Sequence, residues 1–305
     1  MRRTALATLV ANMALVATGG AVRLTDSGLG CPTWPHCLTG TAHAPTAYHH
    51  WIELGNRMLI TVLIAIGVAT LVVALRSLPR RPDLVRLSWL LLGAVPLQAV
   101  LGGITVLTHL NPWVVMIHFL ASMVMVAAAT LLLRRSGEGD EPARALTLPL
   151  LRRLVRGLAA LVGVVLVLGT VVTGSGPHAG DATAKRNGLD PVLVTQLHAD
   201  AVMLLVGLTV ALVVTFAAVR APAQVNRAVR ALLAVELAQG VVGYVQYFTK
   251  LPSGLVEVHL VGATATAAAT AWLVFSLRDR GAVAAAAGPT ATRAAAPDVG
   301  VATSA

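Results

Sequence analysis

Leu97–Ser122, LQAVLGGITVLTHLNPWVVMIHFLAS, and Ala238–Ala263, AQGVVGYVQYFTKLPSGLVEVHLVGA, read as two copies of one segment. Gln98 matches Gln239, Gly102 matches Gly243 and His118 matches His259, all at an offset of 141 residues. Each copy is an apolar run, a short turn and a second apolar run. The copies extend backwards: Asn56 lies one residue from the same register relative to His198, and TGGAVRLTDSG in the first half loosely resembles TVVTGSG in the second. The chain therefore reads as two tandem halves.

Outward from these hairpins, eight stretches are apolar enough and long enough to cross a bilayer, roughly 4–22, 53–75, 87–107, 113–133, 157–176, 192–219, 231–249 and 256–277. Short polar segments separate them, as helical spans require, because hydrocarbon offers no partner to exposed backbone groups. The predicted fold is an all-α integral membrane protein of eight helices, built as two four-helix bundles. Four is an even number, so both halves share one orientation and are related by a pseudo-twofold axis along the membrane normal. The expected organisation is an N-terminal bundle over 1–135, a linker over 136–156, a C-terminal bundle over 157–280 and a disordered tail over 281–305.

Composition agrees. Of 305 residues, 56% are hydrophobic and 12% charged, with a mean hydropathy of +0.78; a soluble domain carries about 25% charged residues. A soluble enzyme and a disordered chain are excluded. The net charge of +10 looks like a nucleic-acid signal, but aromatics are only 4% and no basic run is interleaved with them. Sorting the 23 Lys and Arg residues by span puts 18 on the side of the termini and 5 on the other. By the positive-inside rule both termini face the cytoplasm. The first span follows Arg2 and Arg3 as a secretory signal would, but its length and the lack of a clear small-x-small cleavage site predict a retained anchor.

The nine His residues, at 36, 43, 49, 50, 109, 118, 178, 198 and 259, all fall on the outer side. A polar side chain inside a span is costly and tends to mark function. His198 and His259 head parallel spans of the second half, so they lie at similar depth and can face each other across a bundle. Two such imidazoles suit axial ligation of an iron porphyrin. A lone His would read as a hydrogen-bonded interfacial residue; the repetition of His118 as His259 favours ligands. A zinc site has no HxxxH or Cys and His cluster to support it.

The first half differs. Where the second half has His198, HHWIELGNRM places Asn56, with Glu53 and Arg57 on the same helix face by i, i+3, i+4 spacing. That face is expected opposite His118, as a structural ion pair or as catalytic machinery. Cys31 and Cys37, in LGCPTWPHC on the oxidising side, suggest a disulfide acting as a loop staple or as a redox pair. Metal binding by Cys31, His36 and Cys37 has too few ligands. Glu236 is expected to pair with Arg230, and Arg23, Arg57, Lys185 and Arg186 are candidates for holding porphyrin propionates.

With these motifs in view, the chain resembles the heme A synthase family. The resemblance rests on GGAVRLTDSGLGCPTWPHC, WIELGNR, the QAVLGG…MIH block, its repeat QGVVGY…EVH, and the QLH of the sixth span, and it covers nearly all of residues 4–277. It implies oxidation of the C8 methyl group of heme O to a formyl group, giving heme A for cytochrome oxidase. It implies heme b held by His198 and His259. The substrate heme would lie in the N-terminal half, with His118 on its iron, Asn56 and Arg57 lining its site and Glu53 needed for activity. Many relatives have His at the position of Asn56, and some carry a second cysteine pair where 177–191 has none. The matching cysteine pair is Cys31 and Cys37. The resemblance further implies a plasma-membrane protein with heme sites toward the outer side, heme O delivered by a heme O synthase, lipid as surroundings and an electron acceptor that the motifs do not specify, with homo-oligomerisation left open. The competing readings are a diheme cytochrome b-type electron-transfer protein, which gives no reason for Asn56 beside Glu53, and a transporter, which lacks paired Gly/Pro-broken spans apart from Pro96.

Overall fold

The computed structural model describes residues 1–37 and 47–281; His43 and residues 282–305 of the tail expected to be disordered lie outside the described residues. Eight helices follow one another: α1 Arg2–Leu24, α2 Ala47–Arg76, α3 Pro82–Leu107, α4 Pro112–Ser136, α5 Pro149–Ser175, α6 Pro191–Ala218, α7 Ala223–Phe248 and α8 Ser253–Ser276. Two short strands, β1 Arg144–Ala145 and β2 Arg278–Asp279, pair antiparallel with Arg144 opposite Asp279. All eight helices are long and apolar enough to cross a membrane. They present bulky apolar side chains outward, among them Val124 at 68% exposure and Leu204 and Val214 at 63%. In water such a surface would aggregate, and in hydrocarbon it is at rest.

Proline sets many of the helix starts. Pro82, Pro112, Pro149 and Pro191 open α3, α4, α5 and α6, while Pro222 and Pro252 immediately precede α7 and α8. Proline at these positions removes an N–H that would have no helical partner and presets φ for the first turn. Asn111 and Asp190 complete two of these starts by accepting the N–H of Trp113 and Val192 at 3.0 and 2.9 Å. Helix α5 thus begins within the stretch read as linker.

The repeat is reproduced in backbone detail. Helices α3 and α7 begin and end 141 residues apart, as do the starts of α4 and α8. The turns between them use left-handed residues at matched positions, His109 and Leu110 (φ 51° and 58°) and Lys250 and Leu251 (φ 63° and 59°). In both turns the second of these N–H groups closes back on a carbonyl of the preceding helix, Thr105 at 2.8 Å and Gln246 at 2.7 Å. His109 and Lys250 share no chemistry, so the conformation belongs to the repeat and not to its side chains.

Within the first half α1 packs on α2 and α4, and α3 on α2 and α4; the second half repeats this as α5 on α6 and α8, and α7 on α6 and α8. Two separate buried clusters follow, one centred on Leu63, Leu91, Val126 and Leu132, the other on Leu158, Leu212, Phe216 and Leu232. This packing is consistent with the expected two bundles. The halves meet through α1 on α8, α4 on α8 and α4 on α5, again a symmetric set.

At the basic end an ion-pair network clamps the halves. Glu138 is bonded by Arg134 at 2.7 Å and Arg135 at 3.0 Å, Arg135 also reaches Asp83 at 2.6 Å, and Arg81 donates to the Glu138 carbonyl at 2.6 Å. Arg134 extends across to Ser276 at 2.9 Å and lies over the Trp272 ring at 5.3 Å. Glu138 is only 7% exposed and Arg135 only 5%. Replacing Glu138 by Ala leaves two enclosed guanidinium groups short of their carboxylate, an expected loss of about 3 kcal/mol. Thermal unfolding of the detergent-solubilised variant measures it; an unchanged melting temperature contradicts the clamp.

Candidate functional site

At the other end of the helices the two halves hold different polar groups on the same scaffold. In the second half, α6 and α8 stand diagonally across the bundle. His198 and His259 face each other there with ring centroids 6.5 Å apart and planes inclined at 77°. Both carry a buried Nδ1 without a hydrogen-bond partner among the described residues, as does His118 of the first half.

Each of these three rings lies against a glycine of a neighbouring helix. A Cβ at Gly169 would stand 3.2 Å from His198 Cε1, one at Gly243 3.5 Å from His259 Cε1, and one at Gly102 3.4 Å from His118 Cε1. Any longer side chain there would displace the ring. The matched glutamines act from the same helices. Gln239 Nε2 donates to the His259 carbonyl at 2.9 Å, and Gln98 Nε2 donates to the His118 carbonyl at 3.2 Å and to Ser122 Oγ at 2.6 Å. One glycine and one glutamine, four residues apart on α3 and on α7, thus seat an imidazole-bearing turn of the next helix. The repeat exposes these residues in the sequence, but their roles emerge only from the packing; Gly169 has no such sequence signal.

In the first half, Glu53 is 4% exposed, and both its oxygens are engaged. Oε2 accepts the Cys31 N–H at 2.6 Å, while Oε1 accepts Arg57 Nε at 3.1 Å and Nη2 at 2.5 Å. Arg57 spends its remaining donors on the loop, reaching the Cys31 carbonyl at 2.8 Å and the Thr33 carbonyl at 3.0 Å. The predicted i, i+4 pair is therefore formed and also fastens the loop that follows α1. Asn56 accepts the Thr18 hydroxyl of α1 at 2.8 Å. Cys31 and Cys37 form a disulfide. Trp34, between them, enters the space that a Cβ on Gly103 would occupy, next to the glycine under His118.

One expectation is corrected. Glu236 is buried at 3% exposure and accepts the Thr209 hydroxyl at 3.0 Å, so its partner is a hydroxyl on α6 and not Arg230, which lies on its own helix. Beside the cysteine pair lies the His50 imidazole, which the sequence did not single out. Of the four cations considered for propionates, Arg57 is committed as described, Arg23 donates to the Thr173 carbonyl of α5 at 2.8 Å, and Arg186 donates to the Pro177 carbonyl.

Comparison with known proteins supplies a family. A family model described as cytochrome oxidase assembly protein (COX15-CtaA) matches residues 2–182. The heme A synthase of Geobacillus kaustophilus is 34% identical over 122 residues, 39% of this chain and 38% of that protein. That of Symbiobacterium thermophilum is 31% identical over 180 residues, 56% of this chain and 58% of that protein. The chain thus spans between about two fifths and three fifths of the length of these curated relatives. A match over more than half of its residues, in a chain of eight apolar helices, makes it a member of the cytochrome oxidase assembly protein family COX15-CtaA.

Proposed function

We propose that the protein is a heme A synthase, oxidising the C8 methyl group of heme O to a formyl group, with heme b resident in the second half. The observation that carries this reading is the contrast between the halves: facing imidazoles of His198 and His259 in the second, and in the first Asn56 on α2 with an oriented carboxylate, Glu53, one turn before it. A saturated iron suits electron transfer, and an iron with a weak or open position suits a substrate that must be exchanged.

The second-half residues fit a heme iron. Ring centroids 6.5 Å apart leave room for one metal ion between the two imidazoles. Each ring also has an orphaned buried nitrogen and a glycine floor. His198 and His259 would hold heme b, which when bound supplies one-electron chemistry. Gly169, Gly243 and Gln239 would hold the rings at that spacing.

In the first half, His118 would face the iron of the substrate heme, and Glu53 would act on the reacting methyl carbon. Passing two electrons to the electron acceptor and losing one proton turns a methyl group on an aromatic macrocycle into a cation-like carbon, which a carboxylate in a low-dielectric site stabilises far more than water can. Glu53 suits that task because Arg57 and the Cys31 N–H fix both oxygens before substrate arrives, so no reorganisation is needed at the moment of reaction. Trp34, packed against Gly103 next to the glycine under His118, would border this site on the side of the disulfide loop. The basic clamp would lie in the cytoplasm with both termini, and heme O would enter from the membrane, delivered by the enzyme that makes it.

Glu53→Gln is expected to keep heme b while formyl production falls by on the order of 100-fold or more. Normal heme A output from that variant contradicts the role given to Glu53. His259→Ala is expected to abolish the heme b absorbance of the reduced protein. Gly169→Leu, which keeps a good helix former but fills the floor under His198, should lose the same signal with unchanged helical content by circular dichroism; retained heme b removes the assignment. The whole reading is tested by purifying the protein from cells that make heme O and identifying the extracted hemes. Heme b with heme O, hydroxylated heme or heme A is expected. Heme b alone, with added heme O left unaltered, would mean an electron carrier.

A further inference from the structure

The outer loop of the first half carries a cluster that the reaction above does not use. The two sulfurs of the Cys31–Cys37 disulfide flank one ring nitrogen of His50, with Nδ1 3.7 Å from Cys31 Sγ and 3.3 Å from Cys37 Sγ. These three donor atoms all lie within 4.8 Å of one another. They come from two elements, the loop after α1 and the first turns of α2.

We propose that, once the disulfide is reduced, Cys31 Sγ, Cys37 Sγ and His50 Nδ1 form a binding site for a thiophilic d10 cation, Zn2+ or Cu+. Thiolate and imidazole ligands are the set that selects these ions. A cation bound at about 2.3 Å to sulfur and about 2.0 Å to nitrogen holds those ligand atoms roughly 3.5 Å apart. Both sulfur–nitrogen edges of that triangle already have this length. Only the sulfur–sulfur edge must change, from a covalent bond to a non-bonded contact.

The framework that keeps the triangle in place is independent of the disulfide. Glu53 accepts the Cys31 N–H, and Arg57 holds the carbonyls of Cys31 and Thr33, so reduction leaves the first cysteine tethered to α2. His50 lies one helical turn before Glu53 on that same helix. Cys31 is fully buried, whereas Cys37 and His50 are partly exposed, which gives the ion an entry on the Cys37 side. The chemistry balances with an external dithiol as reductant: it is oxidised to its disulfide, the Cys31–Cys37 bond breaks, and two thiols form. Binding the cation then makes two metal–sulfur bonds, releases the two thiol protons, and takes the lone pair of Nδ1 while the ring proton stays on Nε2. Disulfide and cation exclude each other, so the corner bonded directly to Glu53 has two alternative cross-links.

The test uses the full chain in detergent, reduced anaerobically with dithiothreitol, freed of reductant, and offered Zn2+ or, in a separate arm, Cu+. Bound metal is measured by elemental analysis after gel filtration, and thiol protection by alkylation and mass spectrometry. One equivalent of at least one cation is expected, with both Cys31 and Cys37 protected, and none in the oxidised protein. The arm that binds identifies the ion. His50→Ala should still form the disulfide when oxidised, yet bind the cation at least tenfold more weakly when reduced. Gel filtration and circular dichroism report whether each reduced protein keeps its helices; a wild-type chain that loses them on reduction refutes the proposal. So does a folded, reduced wild-type chain that retains neither cation, or a His50→Ala variant that binds as tightly as the wild type.

Discussion

Hydrocarbon supplies no hydrogen-bond partner, so every polar side chain in the span of these helices must find one inside the protein or be kept for a ligand. Most comply locally: Thr8, Ser88, Thr130 and Thr270 turn their hydroxyls back onto a carbonyl four residues earlier in their own helices. Other atoms do not comply. The buried Nδ1 atoms of His118, His198 and His259 have no hydrogen-bond partner among the described residues, and all three residues lie in the N-terminal turns of α4, α6 and α8; carboxylate and amide oxygens of Glu236, Glu257, Gln98 and Gln246 share that condition. An orphaned polar atom inside a span is costly.

Duplication then explains how one sequence holds two different sites. The scaffold elements are copied: the left-handed turns, the glycine beneath the ring, the glutamine on the histidine carbonyl. The variable elements sit on α2 and α6, where Asn56 stands against His198, and on the loops that precede those helices. Because the copied parts set depth and spacing, a single exchange of Asn for His changes the polar group offered at that position without altering the bundle. Glu53 and Arg57 exploit the other asymmetry, the long loop between α1 and α2. Their pair sits on one helix, but its free donors and acceptors tie the loop to the site.

The opposite end is built on charge. Arg81, Arg134, Arg135, Asp83 and Glu138 knit α3, α4 and the segment after α4, while Arg134 and the paired strands β1 and β2 reach the end of α8. The basic residues concentrated at this end thus also lock the seam between the halves.

By itself, the sequence determined the number of helices, the repeat and its register, and which histidines fall inside spans. These depend on hydropathy and spacing, which are properties of one chain segment at a time. It also showed Glu53 and Arg57 to be one turn apart. Tertiary structure decided the partners. Glu236 joins Thr209 of α6 instead of the nearby Arg230, His50 comes to lie on the cysteine pair, and three glycines become floors for imidazole rings. The physical reason is that these helices, α5 excepted, are apolar nearly all round, so no amphipathic stripe announces which face turns inward. Rotation about each axis and the order of helices around each bundle are settled only when the side chains pack.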